Sequence, residues 1–238
     1  MKLYTILIVM ALFSFAKLSP DSELNIIKVT VDNPENFLSI SEALESNTPV
    51  IPINLVNWEK YDFAPDVAFR IGHNGETLFL KFYVTDEHII AKHSTPNTAT
   101  HRDSCVEFFI DPDQTGNYYN FEFNCIGTTH LAFGPDRHTR TFVDKSLIID
   151  QIRIQSSLGN MPFEEKTGNF KWEMVIAIPS SIFVHHPNLS FNGLQSKANF
   201  YKCADATQKP HYLSWAPVIT ERPDFHRPEF FGALYFEH

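Results

Sequence analysis

The chain has 238 residues, which fits one large domain whose core needs no disulfide staples. A hydrophobic content of 43% excludes a disordered chain, and a net charge of −9 without any Lys/Arg cluster argues against nucleic acid or anionic membranes as partners. The 22 Phe, 8 Tyr and 15 Pro favour strands and turns over helices.

The N-terminus opens with Met1-Lys2 and runs apolar from Leu3 to Phe13. Ser14-Phe15-Ala16 then places small residues at the −3 and −1 positions of a cut after Ala16, the pattern of a secretory signal peptide. The run is too short to span a bilayer comfortably, so no membrane span is expected. The expected organisation is a signal peptide over 1–16 and a single domain over 17–238, secreted or held in the periplasm or at the cell surface. Removing 1–16 takes away Lys2 as its one charged side chain and leaves the chain more acidic.

Strand-like runs follow through the whole chain: 68–71, 78–84, 104–110, 118–125, 147–155, 171–178, 198–203 and 232–237. Turn clusters such as Gly72-His73-Asn74-Gly75, Gly116-Asn117 and Asn192-Gly193 separate many of them. Short strands at this density predict an all-β, antiparallel β-sandwich of the lectin-like or immunoglobulin-like jelly-roll type; a monomer is expected. Only 38–44 and 180–184 have the pattern for a turn or two of helix.

The run HRDSCVEFFIDPD (101–113) and the following YYNFEFN (118–124) read as a hairpin. Pairing across the loop sets Ile110 against Tyr119, Phe108 against Phe121 and Val106 against Phe123, an apolar face for the core. The other face sets Phe109 against Asn120, Glu107 against Glu122 and Cys105 against Asn124. A slip of one residue would invert a whole strand and destroy the match. Like charges opposite one another destabilise a sheet, so Glu107 and Glu122 require a cation, a basic side chain or ligand hydroxyls. Carboxylates with Asn amides and an aromatic wall suit sugar hydroxyls and C–H faces. A solvated outer face with a basic neighbour is the alternative.

Further along, Asn199, Tyr201 and Cys203 share one face of a strand, and Phe200 and Lys202 the other. Tyr201 and Lys202 are candidate polar contributors. Asp224-Phe225-His226-Arg227-Pro228 forms a loop with an aromatic and two possible cations. Cys105, Cys125 and Cys203 lack metal-type spacing and read as buried free thiols. Trp172 and Trp215 read as structural, and Trp58 as either core or rim. No cofactor is expected. Asp111-Pro112-Asp113-Gln114-Thr115-Gly116 lacks the full ligand series of a calcium loop and reads as a plain turn, with structural calcium the lesser option. His185-His186 reads as a surface loop.

The segments DSCVEFFIDPD (103–113), YYNFEFN (118–124), FKWEMVIAIP (170–179), NFYK (199–202), YLSW (212–215) and FHRPEFFGALYFE (225–237) resemble the family 9 carbohydrate-binding modules, in the family-9-like subgroup common in polysaccharide-degrading bacteria. The resemblance covers most of the chain after about Val50. It implies a β-sandwich that binds oligo- or polysaccharide, often at chain ends, in carbohydrate catabolism and without catalysis. The family's acidic site residue falls on Glu107. Its next polar position falls near Asn120, Glu122 and Asn124, with Glu122 where well-known members carry arginine. The sugar-stacking aromatic falls on Phe225. A second stacking tryptophan would fall near His101, and the chain has none there. The implied site is therefore Glu107, Glu122 and Asn120 on the hydroxyls and Phe225 and His101 on the ring faces, with Lys202 or Arg227 offsetting the carboxylates. Two other classes compete: a glycoside hydrolase with Glu107 and Glu122 as its carboxylate pair, and a haem-binding sandwich, for which Met161 and Met174 lack an evident histidine partner.

Overall fold

The computed structural model describes residues 22–238, so the expected signal peptide lies outside the described residues. In chain order the strands and helices are β1 (Glu23–Lys28), α1 (Phe37–Asn47), β2 (Ile51–Pro52), β3 (Leu55–Val56), β4 (Asp66–His73), β5 (Thr77–Ala91), β6 (Cys105–Asp111), β7 (Tyr118–Asn124), β8 (Thr129–Gly134) and β9 (Thr141–Phe142). They continue with α2 (Lys145–Gln151), β10 (Arg153–Ser156), β11 (Phe163–Pro179), β12 (Gln195–Cys203), β13 (Tyr212–Ser214) and β14 (Gly232–Phe236).

The strands form the two faces of a sandwich. One sheet runs β14-β12-β6-β7-β8-β9, with β13 and β3 alongside β12; the other runs β4-β5-β11-β10, with β2 on β4. Strand β1 joins them. Its first four residues pair with β14 and its last two with β4, parallel in both cases. The all-β sandwich therefore holds, and its pairing is antiparallel except along β1. Gly232 makes that junction possible: a Cβ there would meet the Ser22 carbonyl at 2.5 Å and the Trp215 ring at 2.6 Å.

The core follows from period-two alternation. Val106, Phe108, Ile110, Tyr119, Phe121 and Phe123 point inward from β6 and β7, and Phe69, Leu80, Phe82, Trp172 and Met174 meet them from the other sheet. Phe200 of β12 stacks on Phe69 with centroids 3.9 Å apart and on Phe108 at 4.9 Å, tying the layers together. Helix α1 covers the outer face of the second sheet through Ile40 and Leu44. Asn36 caps it by accepting from the Leu38 N–H at 2.8 Å.

Two expectations change here. The apolar run 147–155 is not one strand: Asp144 accepts from the Ser146 N–H and starts α2, and strand pairing begins only at Arg153. Lys202 is not a site cation. Its face of β12 points between the sheets, where its side chain is fully buried, 3.2 Å from Asp86 and 2.6 Å from His211 Nε2. His211 Nδ1 lies against the Lys209 carbonyl, so Nδ1 carries the proton and Nε2 accepts from lysine. Burial, with the Lys202 charge, pushes His211 down to about 3 and keeps it neutral. Burial opposes the ionisation of Asp86, but the Lys202 charge together with its other partners, the His88 N–H among them, outweighs that cost and holds it below its ordinary range. Its contribution to stability is thus present at neutral pH and lost as pH falls through that depressed value. Lys202→Met leaves the Asp86 charge buried and unpaired, and denaturant unfolding is expected to show a loss of ~3–5 kcal/mol. Adding Asp86→Leu is expected to recover much of it.

Candidate functional site

The outer face of the first sheet carries the second set of alternating residues: Cys105, Glu107 and Phe109 on β6, Tyr118, Asn120, Glu122 and Asn124 on β7, and Asn199, Tyr201 and Cys203 on β12. The pairing is the one expected, with Glu107 opposite Glu122, Phe109 opposite Asn120 and Cys105 opposite Asn124. On the other side of β6, Tyr201 lies opposite Glu107 and Cys203 opposite Cys105. Loops from the C-terminal third roof this face, and Trp58, Phe109, Tyr118, Tyr201, Phe225 and Phe231 form a separate apolar cluster beneath them.

Between the cluster and the loops lies a cleft of about 160 Å³. Glu107 and Glu122 line it together with His101, Cys203, Asp205 and Tyr212. Arg137, Arg140 and the segment Pro223–His226 complete the wall. The volume is below the roughly 300–1,000 Å³ of sites for drug-sized ligands. A smaller unit, such as one sugar ring, is the appropriate scale.

The two carboxylates have different surroundings. Glu122 accepts from Thr100 Oγ1 at 2.9 Å and from Asn120 Nδ2 at 2.9 Å. Arg140 Nη1 and His130 Nε2 stand 3.8 Å from it, and His101 Nδ1 3.7 Å. Burial opposes its ionisation, but its neighbours, His130 and His101 foremost, outweigh that cost and hold its carboxyl well below the usual range. Glu107 has no such company and accepts from the Cys203 thiol at 3.1 Å. Burial, with the Glu122 charge beside it, pushes Glu107 well above the usual range. The two shifts run in opposite directions, favouring the carboxylate form of Glu122 and the neutral acid form of Glu107, which is able to donate. This resolves the like-charge conflict without a cation between the two.

His226 donates or accepts at two ends: Nε2 lies 3.2 Å from Arg140 and Nδ1 2.8 Å from Tyr118 Oη. Arginine can only donate, so Nε2 accepts and Nδ1–H points to the tyrosine. Burial, then the Arg140 charge, lowers His226 to about 3. Arg140 is thereby aimed at Glu122. His101 moves the other way, raised by the Glu122 carboxylate beside it.

Of the expected site residues, Glu107, Glu122, His101 and Phe225 reach the cleft. Asn120 does not line it, but positions Glu122. Phe225 is a wall, not a stacking platform: Tyr201 covers one face with centroids 4.1 Å apart, Trp58 and Tyr212 pack around it, and only 7% of its surface is exposed. Tyr201 supports it from below, donating its hydroxyl to the Phe225 carbonyl. Asn124 is spent elsewhere, donating to Asp103 and to the His93 carbonyl and accepting from the Thr128 N–H. Arg227 pairs with Glu229 outside the cleft, so Arg140 stands by Glu122 in place of Arg227 or Lys202.

Sequence reasoning missed Arg137, Arg140, Asp205 and Tyr212. Arg140 and Arg137 precede the two-residue β9, where no periodicity marks them. Tyr212 was visible only as part of YLSW. Trp58 resolves as a buried support, its indole N–H donating to the Thr220 carbonyl at 3.0 Å. The thiols are all free and buried. Both Asp111 oxygens accept backbone N–H groups, from Thr115 and Gly116, as a hairpin turn requires. His186 bridges Tyr119 and Asp113 and is mostly covered, more structural than a surface-loop reading implies. Met174 is core and Met161 lies on the surface.

The His101–Glu122 contact has a measurable signature. The His101 imidazole is expected to titrate above its ordinary 6.5 by NMR. Its contribution to stability is full at lower pH and lost as pH rises through that raised value. In Glu122→Gln the midpoint is expected to fall; an unchanged midpoint would mean that the contact is electrostatically idle.

The comparisons agree with this architecture. The model of the carbohydrate-binding family 9 matches residues 39–236. A crystal structure of a candidate carbohydrate-binding protein from Bacteroides uniformis ATCC 8492 is 38% identical, with a TM-score of 0.86 over 90% of this chain and 99% of that one. A family 9 carbohydrate-binding module from Caldicellulosiruptor kristjanssonii in complex with glucose shares the fold at 9% identity, with a TM-score of 0.54 over 91% of this chain and 96% of the other. A family 9 module from the same organism in complex with cellotriose gives 12% identity and a TM-score of 0.50, over 91% and 94%. No curated protein matches the sequence. Among the described residues no helix is long and apolar enough to cross a membrane. A match spanning most of the chain, on a two-sheet fold with its polar cleft over the β6–β7 hairpin, makes this chain a member of carbohydrate-binding family 9.

Proposed function

We propose that the cleft binds the terminal sugar unit of an oligo- or polysaccharide without cleaving it, as part of carbohydrate catabolism outside the cytoplasm. The observation that carries this reading is the carboxylate pair at the cleft floor. Glu122 favours the ionised acceptor form and Glu107 the neutral donor-acceptor form, side by side in a space of about 160 Å³. Adjacent ring hydroxyls need that alternation of donor and acceptor. Arg137, Arg140 and His101 add donors on the rim, and Tyr212 adds an aromatic surface for C–H groups. The small volume favours one ring, hence a chain end. Export through residues 1–16 would put the domain where polysaccharide is degraded. Glucose and cellotriose, the ligands of the related modules, are the first sugars to try.

Hydrolysis has less support. A hydrolase needs its two carboxyl groups on either side of a glycosidic bond. Glu107 and Glu122 project the same way from neighbouring strands, both almost fully buried.

A glycan panel presenting each oligosaccharide with free and with capped reducing ends tests the proposal. Binding lost on capping is the expected result; binding indifferent to capping would move the site to internal chain units. Glu122→Gln is expected to weaken binding about tenfold or more, the effect of removing one charge-assisted hydrogen bond. Release of the aryl group from aryl glycosides would overturn the non-catalytic reading.

A further inference from the structure

The cleft floor holds a group of atoms that sugar recognition leaves unexplained. Cys105 and Glu107 stand two residues apart on β6 and so share a face. Cys203 enters the same face from β12, directly opposite Cys105. The two sulfurs and a Glu107 carboxylate oxygen all lie within 4.8 Å of one another. Cys203 Sγ is 3.1 Å from Glu107 Oε1. Around one tetrahedral zinc ion, with bonds of ~2.3 Å to sulfur and ~2.0–2.2 Å to oxygen, ligand atoms stand roughly 3.3–3.8 Å apart. Side-chain adjustments of about 1 Å or less would satisfy that arrangement.

We propose that Cys105, Glu107 and Cys203 form a three-ligand site for a divalent cation of the zinc class, with its fourth coordination position open to the cleft. Two thiolates with one carboxylate suit zinc over calcium or magnesium, which require oxygen ligands. Three protein ligands with one open position is the arrangement of zinc sites that act on a small molecule. The entry path exists, since Glu107 and Cys203 both line the cleft. The third thiol serves as an internal contrast: Cys125 belongs to the core between the sheets and donates to the Ile90 carbonyl, outside the Cys105–Glu107–Cys203 group. Binding exchanges the ligand protons, that of Glu107 included, for the ion, so uptake strengthens as pH rises and the neutral Glu107 donor belongs to the metal-free state. No redox step is involved.

Cobalt(II) titration of the full chain, purified and kept in a non-chelating reductant, is the test. The expected result is one equivalent bound, with the near-ultraviolet charge-transfer intensity of two thiolates and tetrahedral visible bands, both abolished by one equivalent of zinc. Cys203→Ser is expected to halve the charge-transfer intensity, and Glu107→Gln to weaken zinc binding at least tenfold. The wild-type spectrum alone decides the matter if a cysteine variant fails to fold. Absence of thiolate bands, or zinc binding unchanged in Glu107→Gln, would overturn the site. So would a mass two hydrogens below the reduced chain in protein prepared without reductant, since the sulfurs would then be joined as a disulfide. Sugar binding is read separately on the glycan panel, so failure of either proposal leaves the other measurable.

Discussion

The register between β6 and its two neighbours fixes nearly everything else. Because side chains alternate at every residue, one set of pairings sends Val106, Phe108 and Ile110 into the core and holds Cys105, Glu107 and Phe109 over the opposite surface. A one-residue slip would put carboxylates between the sheets and phenylalanines in the cleft. The energetic weight of the aromatic inner face therefore guards the geometry of the polar outer one. Binding chemistry is positioned by a core it never touches.

Charge is distributed on the same principle. Two acids lie side by side at one place, and a lysine is buried at another, yet neither is left uncompensated. Glu122 keeps its charge among arginine, histidine and hydroxyl partners, and Glu107 gives up its own. Lys202 answers Asp86 from across the sandwich, with a neutral His211 filling the remaining acceptor role. The outer-face group faces solvent through the cleft and can exchange its partners for a ligand's. The inner-face group is sealed, and its contribution is to stability.

Much of this was legible in the residues. The hairpin, its pairing and its two faces followed from alternation alone, because the inward positions there are all apolar and the carboxylates and amides all fall on the other face. The two faces of β12 were equally plain, including the placement of Lys202 beside Phe200. The destination of Lys202 was not, since its partners come from β5 and from the loop before β13, and no local pattern links them. Arg137, Arg140 and Asp205 were hidden for the same reason: they sit in loops, where no period marks direction. Helix α2 was read as strand because Leu147, Ile148 and Ile149 are β-prone, and the Asp144 cap decided otherwise. Phe225 lines the cleft, but its stacking on Tyr201 is a tertiary contact that no local pattern announces.

Strand β1 carries a consequence for how the molecule is made. It holds the two sheets together, and it does so by pairing with the last strand of the chain. The Lys28 N–H donates to a Glu237 carboxylate oxygen 209 positions away. Closing so long a loop earns little until most of the chain has collapsed, so this seam is among the slowest contacts to form. During synthesis β1 must wait, edge exposed, for β14 to emerge. Until then the sandwich is open along one side, and in that interval the chain is most vulnerable to pairing with a stranger.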